Sequence, residues 1–501
     1  MTHQRILPVL IVSLLASSVA MAEIELIAIG KIDGSLSDRN RQTAAPLENA
    51  VQGNLLGGIG SGLAYAGGNS FLALPDRGPN ATAYNPLVDD TVSYINRFQT
   101  VNLNLAHNRP GADLPFKLMP VIKRTTLLSS SMPLVYGDGI GLNLGAGEPA
   151  LNAKNRTHYF TGRSDNFDPA QVSTDASSAR LDPEAIRMSC DGKSVFISDE
   201  YGPYVYQFDR QSGKRIKTFN LPVNLAIEHL SAQKSEEIAN NTVGRVTNKG
   251  MEGLAITPDC GKLVGIMQAN LEQDKKKSLR IVTIDIDTEQ THEYAYKLTD
   301  GSGVSEIVAI NDHQFLVDER DGNGFADTPL LTDTASAALV KKLYLIDLDG
   351  AQDISSVEGP NADLTRYAVT KDPAPFLDIV SALNAAGIDS RMIPSKLEGL
   401  AFGQDVTIKG VKKHTLVIAN DNDFLADVAD PLTDACAELN NCERGTVANP
   451  NQFYVFAFDD NDLPGYQAQQ IRKMDQELAE EHEGDHHEHH QGLVKALGVK
   501  P

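Results

Sequence analysis

The strongest constraint on how this chain folds is a phrase that occurs five times. Residues 59–78 read IGSGLAYAGGNSFLALPDRG, 181–202 read LDPEAIRMSCDGKSVFISDEYG, and 250–268 read GMEGLAITPDCGKLVGIMQ. Residues 303–322 read GVSEIVAINDHQFLVDERDG, and 396–423 read KLEGLAFGQDVTIKGVKKHTLVIANDND. Each phrase is a short apolar strand, a turn rich in Gly, Asp or Asn, a second apolar strand, and a charged cluster. That is a hairpin with both faces apolar, which cannot bury itself alone and must stack on copies of itself. Radial stacking of repeated hairpins is the design of a β-propeller, and a chain of this length has room for about six or seven blades with long insertions.

The rest of the chain agrees with an all-β class. RIVTIDI, KLYLIDL and QFYVFAF are further strand-like runs between turn signals, and only residues 376–386 and 466–481 carry a helical pattern.

The hairpin geometry then acts on the carboxylates. Four phrases open on a glutamate (Glu184, Glu252, Glu306, Glu398), and the fifth opens on Ser61. A hairpin returns the chain to the end where it began, so the acids after the second strand lie beside those glutamates. Around one axis, Glu184, Asp199, Glu200, Glu252, Glu306, Glu319, Asp321, Glu398, Asp421 and Asp423 become candidates for a single acidic ring. Desolvated like charges are costly unless cations neutralise them. All-oxygen ligands on irregular loops suit a hard ion, with Ca2+ the best match. Within the ring Glu184, Asp199, Glu252 and Glu398 are the candidate catalytic carboxylates, and Arg77 and Arg320 are candidates to hold an anionic substrate group.

The phrases SGLAY, LPDRGPN, DPEAI, SDEYGPYVYQFD, GMEGLA, LVDERDG, KLEGLAF and NDNDF, in that order from about residue 27 to 458, resemble the phytase-like family of esterase-like proteins. The resemblance implies a β-propeller, hydrolysis of phosphoric esters and bound Ca2+. Two departures stand out: Ala185 replaces the glycine usual after the second phrase's glutamate, and the third phrase ends in Met267-Gln268 without an acid.

Residues 1–22 read as a secretory signal, with Arg5, an apolar run and a small-x-small cleavage site at Ala20-Met21-Ala22. A propeller domain is expected over 23–465 and a His- and acid-rich tail over 466–501. An exported chain with an even number of cysteines favours disulfides, and the spacing suggests Cys190 with Cys260 and Cys436 with Cys442. The expected location is the periplasm or the exterior. A net charge of −22 argues against nucleic acid and anionic membrane as partners and makes a metal necessary if the substrate is anionic. No membrane insertion is expected, and a monomer is. The histidines at 480–490 could bind Zn2+, Ni2+ or Cu2+ weakly, while His107, His158, His229, His292, His313 and His414 form no spaced pair.

No G-x-S-x-G elbow, H-E-x-x-H or P-loop occurs. The acidic ring, with the phosphoric-ester chemistry that the family resemblance implies, leads to the expectation of a metal-dependent phosphoesterase acting on a small molecule. Two alternatives stay open: a non-catalytic propeller stapled by calcium, and a propeller lactonase or other carboxylic-ester hydrolase.

Overall fold

Each of the five repeats folds as the two innermost strands of one sheet in the computed structural model, which describes residues 24–80, 84–137, 147–327, 336–357, 363–432 and 445–471. Blade 1 runs Gly62–Tyr65, Ser70–Leu74, Arg97–His107 and Phe116–Leu127 from the axis outward. Blade 2 runs Pro183–Met188, Ser194–Asp199, Tyr204–Asp209 and Arg215–Asn220, and blade 3 runs Met251–Ile256, Lys262–Met267, Ser278–Asp285 and Thr291–Lys297. Blade 4 runs Gly303–Ala309, Gln314–Arg320, Lys341–Asp347 and Thr370–Lys371.

Blade 5 closes the ring. Its inner strands are Leu397–Phe402, Val411–Asn420 and Asn451–Phe458, and its outermost strand is Glu25–Ile32 from the start of the chain. Ile29 faces Tyr454 in that antiparallel pairing. The first strands of the blades touch in the cyclic order 1, 2, 3, 4, 5 and back to 1.

The ring therefore has five blades, not six or seven. Every repeat is one blade, and the long intervals between repeats are spent on outer strands and insertions, among them the short helices Ala150–Asn155 and Lys234–Asn240. The small ring brings neighbouring inner strands into backbone contact. A Cβ on Gly253 would lie 2.8 Å from the Ile307 nitrogen, and one on Gly62 would lie 2.7 Å from the Glu184 carbonyl oxygen. That contact explains the glycine of the EGLA phrase.

Apolar side chains on both faces of each blade pack against the next blade. Ile186, Ile197 and Tyr206 of blade 2 meet Leu72, Leu74 and Phe98 of blade 1. On the other face Phe196, Val205 and Phe219 meet Leu254, Leu263 and Val282 of blade 3.

Cys190 and Cys260 form a disulfide with Cα atoms 6.1 Å apart, joining a turn of blade 2 to a turn of blade 3. Helix Ile379–Ala385 lies inside the helical stretch expected at 376–386, its N-terminus capped by the Asp378 side chain accepting from the Ser381 N–H. Residues 466–471, expected to begin a second helix, are irregular, with Tyr466 packed on Phe402 and Phe458. The signal segment, Cys436, Cys442 and the histidines at 480–490 lie outside the described residues. No helix among the described residues is long and apolar enough to cross a membrane.

Candidate functional site

The inner strands of blades 2 to 5 begin with a β-bulge, and the bulge decides where the glutamates go. In blade 3 the register passes from Met251 opposite Met267 to Gly253 opposite Ile266, leaving Glu252 unpaired. Glu398 is left unpaired in the same way in blade 5, and Glu184 lies within the irregular start of blade 2. A bulge bends its strand and re-aims a side chain, here at one mouth of the channel.

In blade 4 the unpaired residue is Ser305, and Glu306 sits one position later, opposite Asp318. Glu306 is therefore out of step with the other three glutamates. It is fully buried, accepts from the Leu254 N–H at 3.0 Å and pairs with Arg187 at 2.8 Å.

The mouth is a basin of eight carboxylates drawn from four blades and their connections. Asp182, Glu184 and Glu200 bring ligand oxygens within 4.8 Å of one another, and so do Asp76, Asp421 and Asp423. Asp182, Glu184 and Glu200 are all buried, and Glu184, 8% exposed, has no hydrogen bond or ion pair among the described residues, the Arg320 charge reaching it only at longer range. Burial, then Glu252, Asp182 and Glu200, push the Glu184 carboxyl well above the usual carboxylate range. Burial and the Asp182 charge likewise push Glu200 up, although it accepts from the Gly250 N–H at 2.9 Å.

Burial, with Glu200 and Glu398 behind it, pushes Glu252 well up.

Cations are built into the rim. Arg77 donates to Asp182 at 2.6 Å, and Arg320 donates to Glu398 at 2.6 Å, lies 3.7 Å from Glu252 and bonds the Ser305 hydroxyl. Lys396 bridges Asp421 at 3.0 Å and Asp423 at 2.6 Å.

Of the acids expected in one ring, the fold gathers Glu184, Glu200, Glu252, Glu398, Asp421 and Asp423. The remaining four are spent elsewhere. Asp199 lies just behind the basin and accepts from the N–H groups of Asp182, Tyr201 and Gly202, a turn-capping arrangement. Burial pushes its pKa to about 7 despite those bonds. Glu319 faces the gap between blades 3 and 4, bonded to the Tyr296 hydroxyl and the Asp300 N–H, each at 2.7 Å. Asp321 clamps Lys341 and accepts from the Val340 N–H. Glu306 is held by Arg187 as described.

Three basin residues escape the sequence reading: Asp76, Asp182 and Lys396. Asp76 follows the second strand of blade 1, the same place that marked Asp199 and Asp421, so the hairpin argument applied to PDRG reaches it. Asp182 stands two residues before Glu184, outside the first strand proper. Lys396 likewise precedes its glutamate by two positions.

A family model described as phytase-like, esterase-like activity of phytase, matches residues 54–424. An uncharacterized secreted protein of Arthroderma benhamiae is 25% identical, over 75% of this chain and 85% of that protein. Among solved structures, a periplasmic gluconolactonase of Pseudomonas aeruginosa shares 8% identity, covering 80% of this chain and 89% of that one at a TM-score of 0.30. A putative 6-phosphogluconolactonase from Bacteroides uniformis shares 11%, covering 79% and 88% at a TM-score of 0.27. At such TM-scores neither likeness bears on function.

Proposed function

This chain belongs to the phytase-like family, and from that premise we propose that it is an exported ester hydrolase whose acidic basin binds one divalent cation, Ca2+ by preference, with a phosphoric ester as substrate. The observation that carries this reading is the Asp182, Glu184 and Glu200 triad, where Glu184 is buried with no hydrogen bond or ion pair among the described residues. Desolvating such a carboxylate costs several kcal/mol unless a cation or a proton neutralises it. An all-oxygen donor set on loops and strand ends fits a hard ion of flexible geometry.

A divalent ion held there would supply Lewis-acid polarisation of the substrate's ester and a more acidic water. The chain's own residues account for the rest. Glu252, its carboxyl pushed well up by burial and directed at the mouth by its bulge, is placed to give a proton to the leaving oxygen. Arg320 orients Glu252 and Glu398 from between them. Asp199 holds the turn that presents Glu200.

A carboxylic ester or lactone is the second reading. Arg77 and Arg320, the guanidinium groups expected to grip a phosphate, are committed to Asp182 and Glu398. A neutral substrate needs neither. Export is supported by the Cys190–Cys260 disulfide, which persists in oxidising compartments, and by the secreted relative.

The experiment is hydrolysis of a phosphomonoester and of a neutral lactone by chelator-stripped protein, with and without added Ca2+. Calcium-dependent phosphatase activity is expected. Lactonase activity alone would shift the substrate to the second reading, and undiminished activity under chelation would overturn the metal.

A further inference from the structure

The two carboxylate triads of the basin are alike in donor chemistry and differ in how far the chain's own groups satisfy them. In the Asp182 triad, Arg77 pairs with Asp182 at 2.6 Å and Glu200 accepts from the Gly250 N–H, but Glu184, more than nine-tenths buried, has neither a hydrogen bond nor an ion pair among the described residues. In the other triad every carboxylate is already engaged. Asp76 accepts from the Gly78 N–H at 2.9 Å, and Asp421 accepts from the Asp423 N–H at 2.7 Å. The Lys396 ammonium sits between Asp421 and Asp423 at 3.0 and 2.6 Å.

The backbone is shaped to hold that second arrangement. Asp423 and Phe424 are consecutive left-handed residues, with φ of 52° and 57°. The Asn422 side-chain Oδ1 accepts from the N–H groups of both Phe424 and Gly58, tying the loop to blade 1's entry. Two non-glycine residues in that region persist only where their surroundings over-determine them.

We propose that Lys396 is a built-in counter-ion that closes the Asp76, Asp421 and Asp423 triad to divalent cations, so that the basin takes a single ion at Asp182, Glu184 and Glu200. This rests on the metal reading above for the first triad only. An ammonium satisfies two carboxylates with one charge and no dehydration of a small ion, and a divalent ion entering the same oxygens must displace it against like-charge repulsion. Lys396 thereby sets the number of ions held by the mouth, and it keeps a second dication from crowding the first.

The test is a count of Ca2+ per chain by calorimetric titration and metal analysis on the full-length, chelator-stripped protein. Wild type is expected to bind one ion and K396Q two, while K396R, which keeps the charge, stays at one. K396Q/E184Q is expected to bind one, the ion having moved to the second triad. K396M serves as a second neutral variant if K396Q fails to fold, with thermal melts certifying both. Two ions in wild type, or one ion in both wild type and a folded K396Q, would overturn the proposal. If wild type binds none and K396Q binds one, the metal reading of the Asp182 triad fails while the role of Lys396 stands. If neither binds, both fall.

Discussion

Arg187 of blade 2 and Glu306 of blade 4 meet at 2.8 Å across the central channel, although their blades are not neighbours in the ring. Arg187 also donates to the carbonyl oxygens of Leu63 in blade 1 and Ile307 in blade 4, and Glu306 accepts from the Leu254 N–H in blade 3. One ion pair and its hydrogen bonds thus tie four blades together.

Breaking it should be costly. R187M and E306Q are each expected to destabilise by about 3–5 kcal/mol, because each leaves a buried polar group unpaired. The double variant R187M/E306Q should lose less than the sum of the singles. Denaturant melts arranged as a double-mutant cycle measure the coupling, and additive losses would show that the pair is energetically idle.

Asp318 supplies a pH dependence. It is fully buried, neither oxygen has a hydrogen-bond partner among the described residues, and burial pushes its pKa to about 8. Between the ordinary aspartate value and about 8 the folded state keeps a proton that the unfolded state releases. Its contribution to stability is therefore complete at low pH and lost as pH rises through that window. D318N should flatten the fall in melting temperature from pH 5 to pH 8 relative to wild type, measured in chelator so that metal binding does not interfere. An unchanged slope would place the proton elsewhere.

Calcium should stabilise through Glu184. At a concentration a hundredfold over its dissociation constant, an ion bound only by the folded state adds about 2.7 kcal/mol. E184Q and D182N are expected to abolish the calcium-induced rise in melting temperature. The rise in wild type should be larger at pH 8 than at pH 6, since Glu184 and Glu200, both raised by burial, must shed protons to bind the ion.

E252Q separates chemistry from stapling. If Glu252 delivers a proton, turnover should fall roughly a hundredfold or more, while the calcium-induced shift in melting temperature persists. Loss of that shift with unchanged turnover would assign Glu252 to the metal instead.

The Cys190–Cys260 bridge closes a segment of 70 residues between adjacent blades. C190S/C260S should lose about 2–4 kcal/mol through the freed unfolded chain, read by melts of wild type and variant under non-reducing conditions.

The repeats made the propeller legible because each carries a complete hairpin in local sequence, and five repeats became five blades. The expectation of more blades failed on the outer strands. Phe116–Leu127 alternates buried and exposed residues around polar positions and carries no repeat phrase, so its interval passed for space that another blade could fill. Glu184, Glu252 and Glu398 were legible for the same local reason, each standing at the head of an inner strand.

Glu306 was not, because a bulge at Ser305 shifts it one position, and strand register is a property of two strands rather than one. Asp199 and Glu319 carry the same acid-after-strand signature as Asp421, yet backbone donors and Lys371 claim them.

By itself, then, the sequence determined that hairpins repeat, that acids stand at their ends, and that an all-β chain follows. Only the tertiary structure decided which acids share a basin. Blade number, bulge register and the approach of Arg187, Arg320 and Lys396 across the ring depend on contacts between residues far apart in the chain, and those contacts determine which carboxylates are left without a partner.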